Sequence, residues 1–256
     1  MAKNVNEAKV ELHWVYAPVG FFDEKIVLEL KGCIVEIEGG RAIAKMSADF
    51  YDSAPGLHDA LTQDLNNYFL LWQPDRRKVF EIKKGGIVRI RPDGTSDTTL
   101  AVDSIVCHSS VGTPTLISID PNGVVHDPRR EHFETMKKQA ELKLHHASNP
   151  TVRKMLESFD RSVREPGIEL YRLYDVWETL AEAFGGKPAA GAALRISYGR
   201  LEALANDRRL RQGRHSGQQL GAQRDATAAE LDEARSLVLE MIEKYLTYLD
   251  NQGPQN

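Results

Sequence analysis

The stretch LYRLYDVWETLAEAFGG, residues 170–186, decides how the C-terminal half of the chain folds. Leu170, Leu173, Tyr174, Trp177, Leu180, Ala181 and Phe184 recur every three or four positions, the spacing of an α-helix that buries one face. Gly185-Gly186 ends it, because glycine enters the left-handed conformation of a helix C-terminus without steric cost. Aromatic rings beside Leu170 and Leu180 are core material, and a base-stacking platform is the weaker reading of them.

The helical period extends to both sides. Upstream, Phe133, Met136, Ala140 and Leu144 share one face of a first helix. Asn149-Pro150, an N-cap followed by proline at the first helical position, opens a second with Val152, Met155, Leu156, Phe159 and Val163 inward. Pro166-Gly167 then breaks the chain. Downstream, Ala190, Leu194, Tyr198, Leu201 and Ala205 predict a fourth helix. Thr227 and Glu230 make a capping box before a last helix through Leu231, Ala234, Val238, Met241, Ile242, Tyr245 and Leu249. Residues 126–250 therefore read as an all-α bundle, and 251–256 as a frayed tail.

Residues 1–125 have the other period. Val10, Leu12, Trp14 and Tyr16 alternate with Glu11, His13 and Val15, as in a half-buried strand. Residues 25–38 are rich in Ile, Val and Leu, and Gly39-Gly40 separates IVEIE from RAIAKM as a hairpin would. Lys84-Gly85-Gly86, Pro92-Asp93-Gly94 and residues 120–123 (DPNG) mark further turns between KVFEI, IVRIR, DSIVCHS and TLISID. Leu57, Leu61, Leu65, Phe69 and Trp72 place one helix among the strands. The expected class is α+β, a mainly antiparallel β domain with one helix followed by a helical bundle.

The formal net charge is −4, so contact with a polyanion must come from a local basic patch. Cys33 and Cys107 have neither disulfide-framework nor metal spacing. No signal-like or membrane-spanning run is present, which points to a cytoplasmic protein. The basic segment KKGGIVRIR reads as a hairpin edge that discourages aggregation. His145-His146, with His126 and His132, contain no pair four apart on a helix. They read as a solvated polar face, and neither metal nor cofactor is expected.

Residues 206–225, NDRRLRQGRHSGQQLGAQRD, hold the strongest concentration of positive charge. Arg208, Arg209, Arg211, Arg214, Arg224 and His215 face Asp207 alone within the span 206–224. Guanidinium forks suit phosphate, and an imidazole moves a proton near neutral pH. The plain alternative is a solvated basic linker. Glu178, beside the aromatic stripe, could orient a loop arginine but reads first as an ordinary surface charge.

Together, residues 170–186, GAALRISYGRLEALAN (191–206), RRLRQGRHSG (208–217) and ATAAELDEARSLVLEMIEKYLTYL (226–249) resemble a HEPN domain. That helical family is found in prokaryotic toxins, antiphage proteins and ribonucleases. Its catalytic form carries Arg, four to six residues, then His; five residues separate Arg209 from His215, and six separate Arg208 from it. Members usually have a polar residue, often Asn, after that Arg. Arg208 precedes polar Arg209, whereas Arg209 precedes Leu210, so Arg208 fits better. The resemblance implies a metal-independent ribonuclease or toxin-like effector, homodimeric through the helical domain and acting through the ribose 2′-OH. Arg208 or Arg209 and His215 would be catalytic, with Arg211, Arg214 and Asn206 binding flanking RNA. The β domain would sense a trigger or bind a protein partner. The family also contains non-catalytic interaction domains, which is the second expectation.

Overall fold

The computed structural model describes residues 7–99, 118–119, 125–215 and 223–252. The chain divides into two compact units, residues 1–66 with 80–135 and residues 67–79 with 136–256. Two of the three divisions, at 66/67 and 135/136, fall within helices, and the third, at 79/80, falls between a helix and the following strand, whereas the sequence suggests one boundary after residue 125.

The first unit is built on six antiparallel strands, β1 (Lys9–Ala17), β2 (Ile26–Leu30), β3 (Cys33–Glu38), β4 (Arg41–Ser47), β5 (Glu81–Ile90) and β6 (Ser96–Thr99). Their order is β2-β3-β4-β1-β5-β6. Two short strands, β7 (Ser118–Ile119) and β8 (Val125–His126), pair with each other. Between β4 and β5 lie α1 (Ala48–Ser53) and α2 (Leu57–Arg76). The period-two expectation for β1 holds: Val10, Leu12, Trp14 and Tyr16 are all buried. Trp14 Nε1 donates to Thr62 Oγ1 at 2.8 Å, and its ring meets His58 edge-on at 4.9 Å. These contacts place the start of α2, with buried Leu61 and Leu65, over that face of the sheet.

The apolar run at 25–38 is two strands, because Lys31 and Gly32, at φ 48° and 76°, form a tight turn between them. Gly39-Gly40 makes the expected hairpin with φ 57° and 81°. Lys84-Gly85-Gly86 is not a turn, which corrects the expectation. β5 runs straight through it, and pairing with β1 shifts register between Leu12↔Ile87 and Trp14↔Lys84. Two glycines thus oppose His13 in a β-bulge. A Cβ on Gly85 would lie 3.0 Å from the His13 carbonyl oxygen, which is why glycine stands there. The segment expected to be a basic hairpin is one strand, with Lys84 paired to Asp59, Arg89 to Asp52 and Arg91 to Asp97. Cys107, His108, the DSIVCHS strand and the 120–123 turn lie outside the described residues, as does all of TLISID except 118–119.

After α3 (Pro128–Leu144), the second unit continues with α4 (Pro150–Arg164), α5 (Glu169–Ala183), α6 (Lys187–Leu194), α7 (Gly199–Ala205) and α8 (Ala228–Gln252). The stripe that opened the reading belongs to the central helix: α5 packs against α4, α6, α7 and α8. Leu170, Leu173, Tyr174, Trp177 and Leu180 are fully or almost fully buried. The N-cap is as expected, Asn149 Oδ1 accepting from Thr151 N at 2.9 Å and Val152 N at 3.2 Å.

The single fourth helix expected over 190–205 is two helices. Arg195 adopts φ 52°, ψ 51°, a left-handed stop between α6 and α7. Ile196 N donates to Gly191 O at 3.0 Å, and Lys244 Nζ donates to the Arg195 carbonyl at 2.7 Å. Tyr198 stacks on Trp177 with centroids 4.4 Å apart. That stacking leaves little room for a Cβ on Gly191, which would sit 3.1 Å from the Tyr198 ring. Among the described residues, no helix is long and apolar enough to cross a membrane.

Candidate functional site in the loop between α7 and α8

The loop closes on itself as soon as it leaves α7. Leu210 N donates to Asp207 O at 3.0 Å, Gly213 N to Leu210 O at 3.3 Å and Arg214 N to Ala205 O at 2.8 Å. The last bond forms a neck that returns Arg214 and His215 to the end of α7. Gly213 makes the closure sterically feasible: a Cβ there would lie 2.8 Å from Ala205 O and 3.3 Å from Asp207 O. Leu210 is completely buried and anchors the turn.

Two further ties fix the loop to the bundle. Tyr171 N, in the first turn of α5 where amides lack helical acceptors, donates to Gln212 O at 3.1 Å. The Gln212 side-chain oxygen accepts from Ala226 N at 2.9 Å, just before α8. The returning strand is held by Arg211 N to Arg224 O at 3.1 Å and Arg224 N to Arg209 O at 2.9 Å.

Charge in the loop is largely matched. Arg209 turns back on Asp207 at 2.8 Å, and this hydrogen bond holds the Asp207 carboxyl below its ordinary pKa. Arg211 lies 3.5 Å from Asp225. Arg224 makes a bidentate pair with Glu230, at 2.7 and 2.6 Å, which depresses the Glu230 pKa strongly. The same carboxylate accepts from Thr227 N at 2.8 Å while Thr227 Oγ1 accepts from Glu230 N at 3.2 Å, completing the expected capping box. Arg214 pairs with Glu178 at 3.0 Å and lies over the Tyr174 ring at 4.8 Å.

Glu178, read first as an ordinary surface charge, is therefore the carboxylate that holds a loop arginine. Tyr174, Asp225 and Glu230 also belong to the loop's environment. The sequence shows them in other settings, and their pairing with the loop arginines emerges only once the loop closes. Arg208 is the exception: its side chain is exposed and forms no hydrogen bond or ion pair among the described residues. Its carbonyl accepts from Gln223 Nε2 at 3.2 Å, so the backbone beneath it is fixed. Asn206 caps α7 with an exposed side chain, and His215 is half-buried just beyond the neck.

On the far side of Glu178, a cleft of about 360 Å³ opens between α4 and α5. Glu157, Asp175, Glu178 and Glu182 outnumber Lys154 and Arg161 in its lining. Burial raises the Asp175 carboxyl above its ordinary pKa, against the lowering effect of Arg172. A net-acidic lining repels a phosphate chain, so a polyanion suits the loop surface and not this cleft.

No family model matches the chain, and neither a curated protein nor a solved structure is significantly similar to it.

Proposed function

We propose that the helical unit is a metal-independent endoribonuclease of the HEPN type, acting as a homodimer. Arg208 binds the scissile phosphate and neutralises charge that builds on its oxygens in the transition state. His215 takes the proton from the ribose 2′-OH as that oxygen attacks phosphorus. The 5′-oxygen leaves as it takes a proton from water, giving a 2′,3′-cyclic phosphate. Asn206, Arg211 and Arg214 border the bound strand. The β unit binds the trigger or protein partner that governs the activity, in antiphage defence or a stress response.

One observation supports this reading above the others: Arg208 is exposed and pairs with none of the described residues, on a backbone held in place within a loop whose neck brings residue 214 back beside 205. It also favours Arg208 over Arg209, whose guanidinium is occupied by Asp207. The test is cleavage of a fluorescent RNA in EDTA by the full chain. His215→Ala and Arg208→Ala should each lower the rate by about 10²–10⁴ with folding retained. An RNase activity unchanged by both substitutions would refute the assignment.

A second reading is favoured by the charge matching itself. Four loop arginines meet Asp207, Asp225, Glu178 and Glu230. A loop neutralised in this way also suits a rigid scaffold for a non-catalytic interaction protein. That reading expects no cleavage, and loop substitutions that alter self-association or partner binding alone.

A further inference from the structure

We propose that His145, His146 and Asp250 form a binding site for a divalent transition metal, zinc being the best match, which clips the end of α8 to the turn between α3 and α4. On sequence the two histidines read as a solvated helix face, where adjacent side chains point apart. They are not on a helix. α3 ends at Leu144 and α4 begins at Pro150, and both rings sit in the intervening turn. His146 N donates to Lys143 O at 2.9 Å and Asn149 N to His146 O at 2.9 Å, so the turn is tightly hydrogen-bonded.

In that turn the rings face one another, with centroids 3.7 Å apart at an interplanar angle of 46°. Both present Nε2 to the same carboxylate oxygen: His146 lies 2.7 Å from Asp250 Oδ1 and His145 3.3 Å from it. The three candidate ligand atoms lie within 4.8 Å of one another. A tetrahedral zinc ion with bonds of about 2.0–2.1 Å sets its ligands about 3.3 Å apart. Small side-chain rotations convert the observed triangle into that one. The backbone is already suited to it. Lys143, at the end of α3, pairs with Glu243 of α8, two helical turns before Asp250 on the same face.

The donor set is two imidazoles and one carboxylate, which fits zinc and its first-row neighbours and does not fit calcium or magnesium, whose ligands are oxygens. His145 and Asp250 are each 59% exposed, so an ion can enter from solvent and keep water in its remaining position. His146 is 16% exposed and provides the fixed ring. The competing account is an ordinary ion pair, with two histidines sharing one aspartate. Metal titration separates the two.

The full chain, purified without a polyhistidine tag and stripped with EDTA, is titrated with Zn²⁺ by calorimetry and with Co²⁺ by visible absorption. The expected result is one saturable equivalent, cobalt bands of a four- or five-coordinate nitrogen–oxygen site, and a rise in the thermal midpoint with Zn²⁺. His146→Ala and Asp250→Asn should each weaken Zn²⁺ binding at least about tenfold and abolish the thermal shift. His215→Ala should bind as the parent does. Asp250 is exposed near a helix end, so Asp250→Asn leaves folding intact, which circular dichroism verifies. No saturable equivalent, or binding indifferent to both substitutions, overturns the proposal. RNA takes no part in the measurement, so the result stands apart from the nuclease reading.

Discussion

Replacing Gly213 by alanine adds one methyl group at the neck of the loop. That methyl carbon would lie 2.8 Å from Ala205 O, 3.3 Å from Asp207 O and 3.4 Å from Leu210 O. All three obstacles are main-chain atoms, so rotamer changes cannot relieve the clash. Either the 2.8 Å bond from Arg214 N to Ala205 O opens, or the backbone at 205–213 shifts. Overpacking of this kind costs about 1–3 kcal/mol. Alanine restricts the unfolded chain more than glycine does and returns about 0.4–1 kcal/mol. The net loss is about 1–2 kcal/mol, a fall of roughly 2–8 °C in thermal midpoint for a chain of this size. Calorimetry measures the midpoint, and hydrogen exchange followed by mass spectrometry reads the neck directly. The Arg214 amide should exchange faster in the variant, and so should Tyr171, whose acceptor Gln212 O lies in the same turn. A displacement of about 1 Å at a catalytic loop can cost about 10² in rate, so the RNA cleavage proposed for this loop should fall with the neck bond. An unchanged midpoint together with full protection at Arg214 would show that the neck is not closed as described.

Three other perturbations follow from individual contacts. Glu230→Gln removes the charge shared by Arg224 and the Thr227 cap, and should cost about 1–2 kcal/mol at neutral pH. Because the folded Glu230 pKa lies below the unfolded value of 4.5, this contribution is fully present above pH 4.5 and is lost as pH falls further, so parent and variant should converge in acid urea titrations. Asp175 has the opposite sign: burial raises its folded pKa above 3.8, so stability falls as pH rises from 3.8 through the folded value, and Asp175→Asn should flatten that limb and be the more stable form at pH 7. Asn149→Ala deprives Thr151 N and Val152 N of their acceptor and should lower stability by about 1 kcal/mol in urea denaturation, with Asn149→Asp retaining most of it.

The elements legible in the sequence are those whose cause is local. The alternation in β1, the stripe of α5, the Asn149 cap and the Thr227/Glu230 box all depend on residues within a few positions of each other. The misread elements have distant causes. Gly85-Gly86 has the composition of a turn, and only the pairing with His13, seventy-odd residues earlier, makes it a bulge. The break at Arg195 carries no glycine or proline of its own; the stacking of Tyr198 on Trp177 and the capping Lys244 come from other helices. The candidate site divides the same way. Its arginines and histidine are visible as a cluster, but Glu178 lies 36 positions before Arg214, and Asp250 lies 104 after His146. Periodicity carries no information about partners at such separations.

The distribution of charge in the loop is itself an argument about its purpose. Five guanidiniums between residues 208 and 224 repel one another, and a loop that closes on itself brings them nearer. The fold meets that cost with carboxylates from four different places: Asp207 inside the turn, Asp225 on the returning strand, Glu230 in the first turn of α8 and Glu178 on α5. If packing alone set the composition, Arg208 would gain nothing from being charged, since its side chain is exposed and bonds to none of the described residues. Its carbonyl is nevertheless fixed by Gln223. A cation that pairs with none of the described residues, on a fixed backbone, has already met the main-chain part of the ordering cost that the proposed phosphate contact would otherwise impose. The four matched arginines then account for the loop's shape, and Arg208, which pairs with none of the described residues, is what that shape presents.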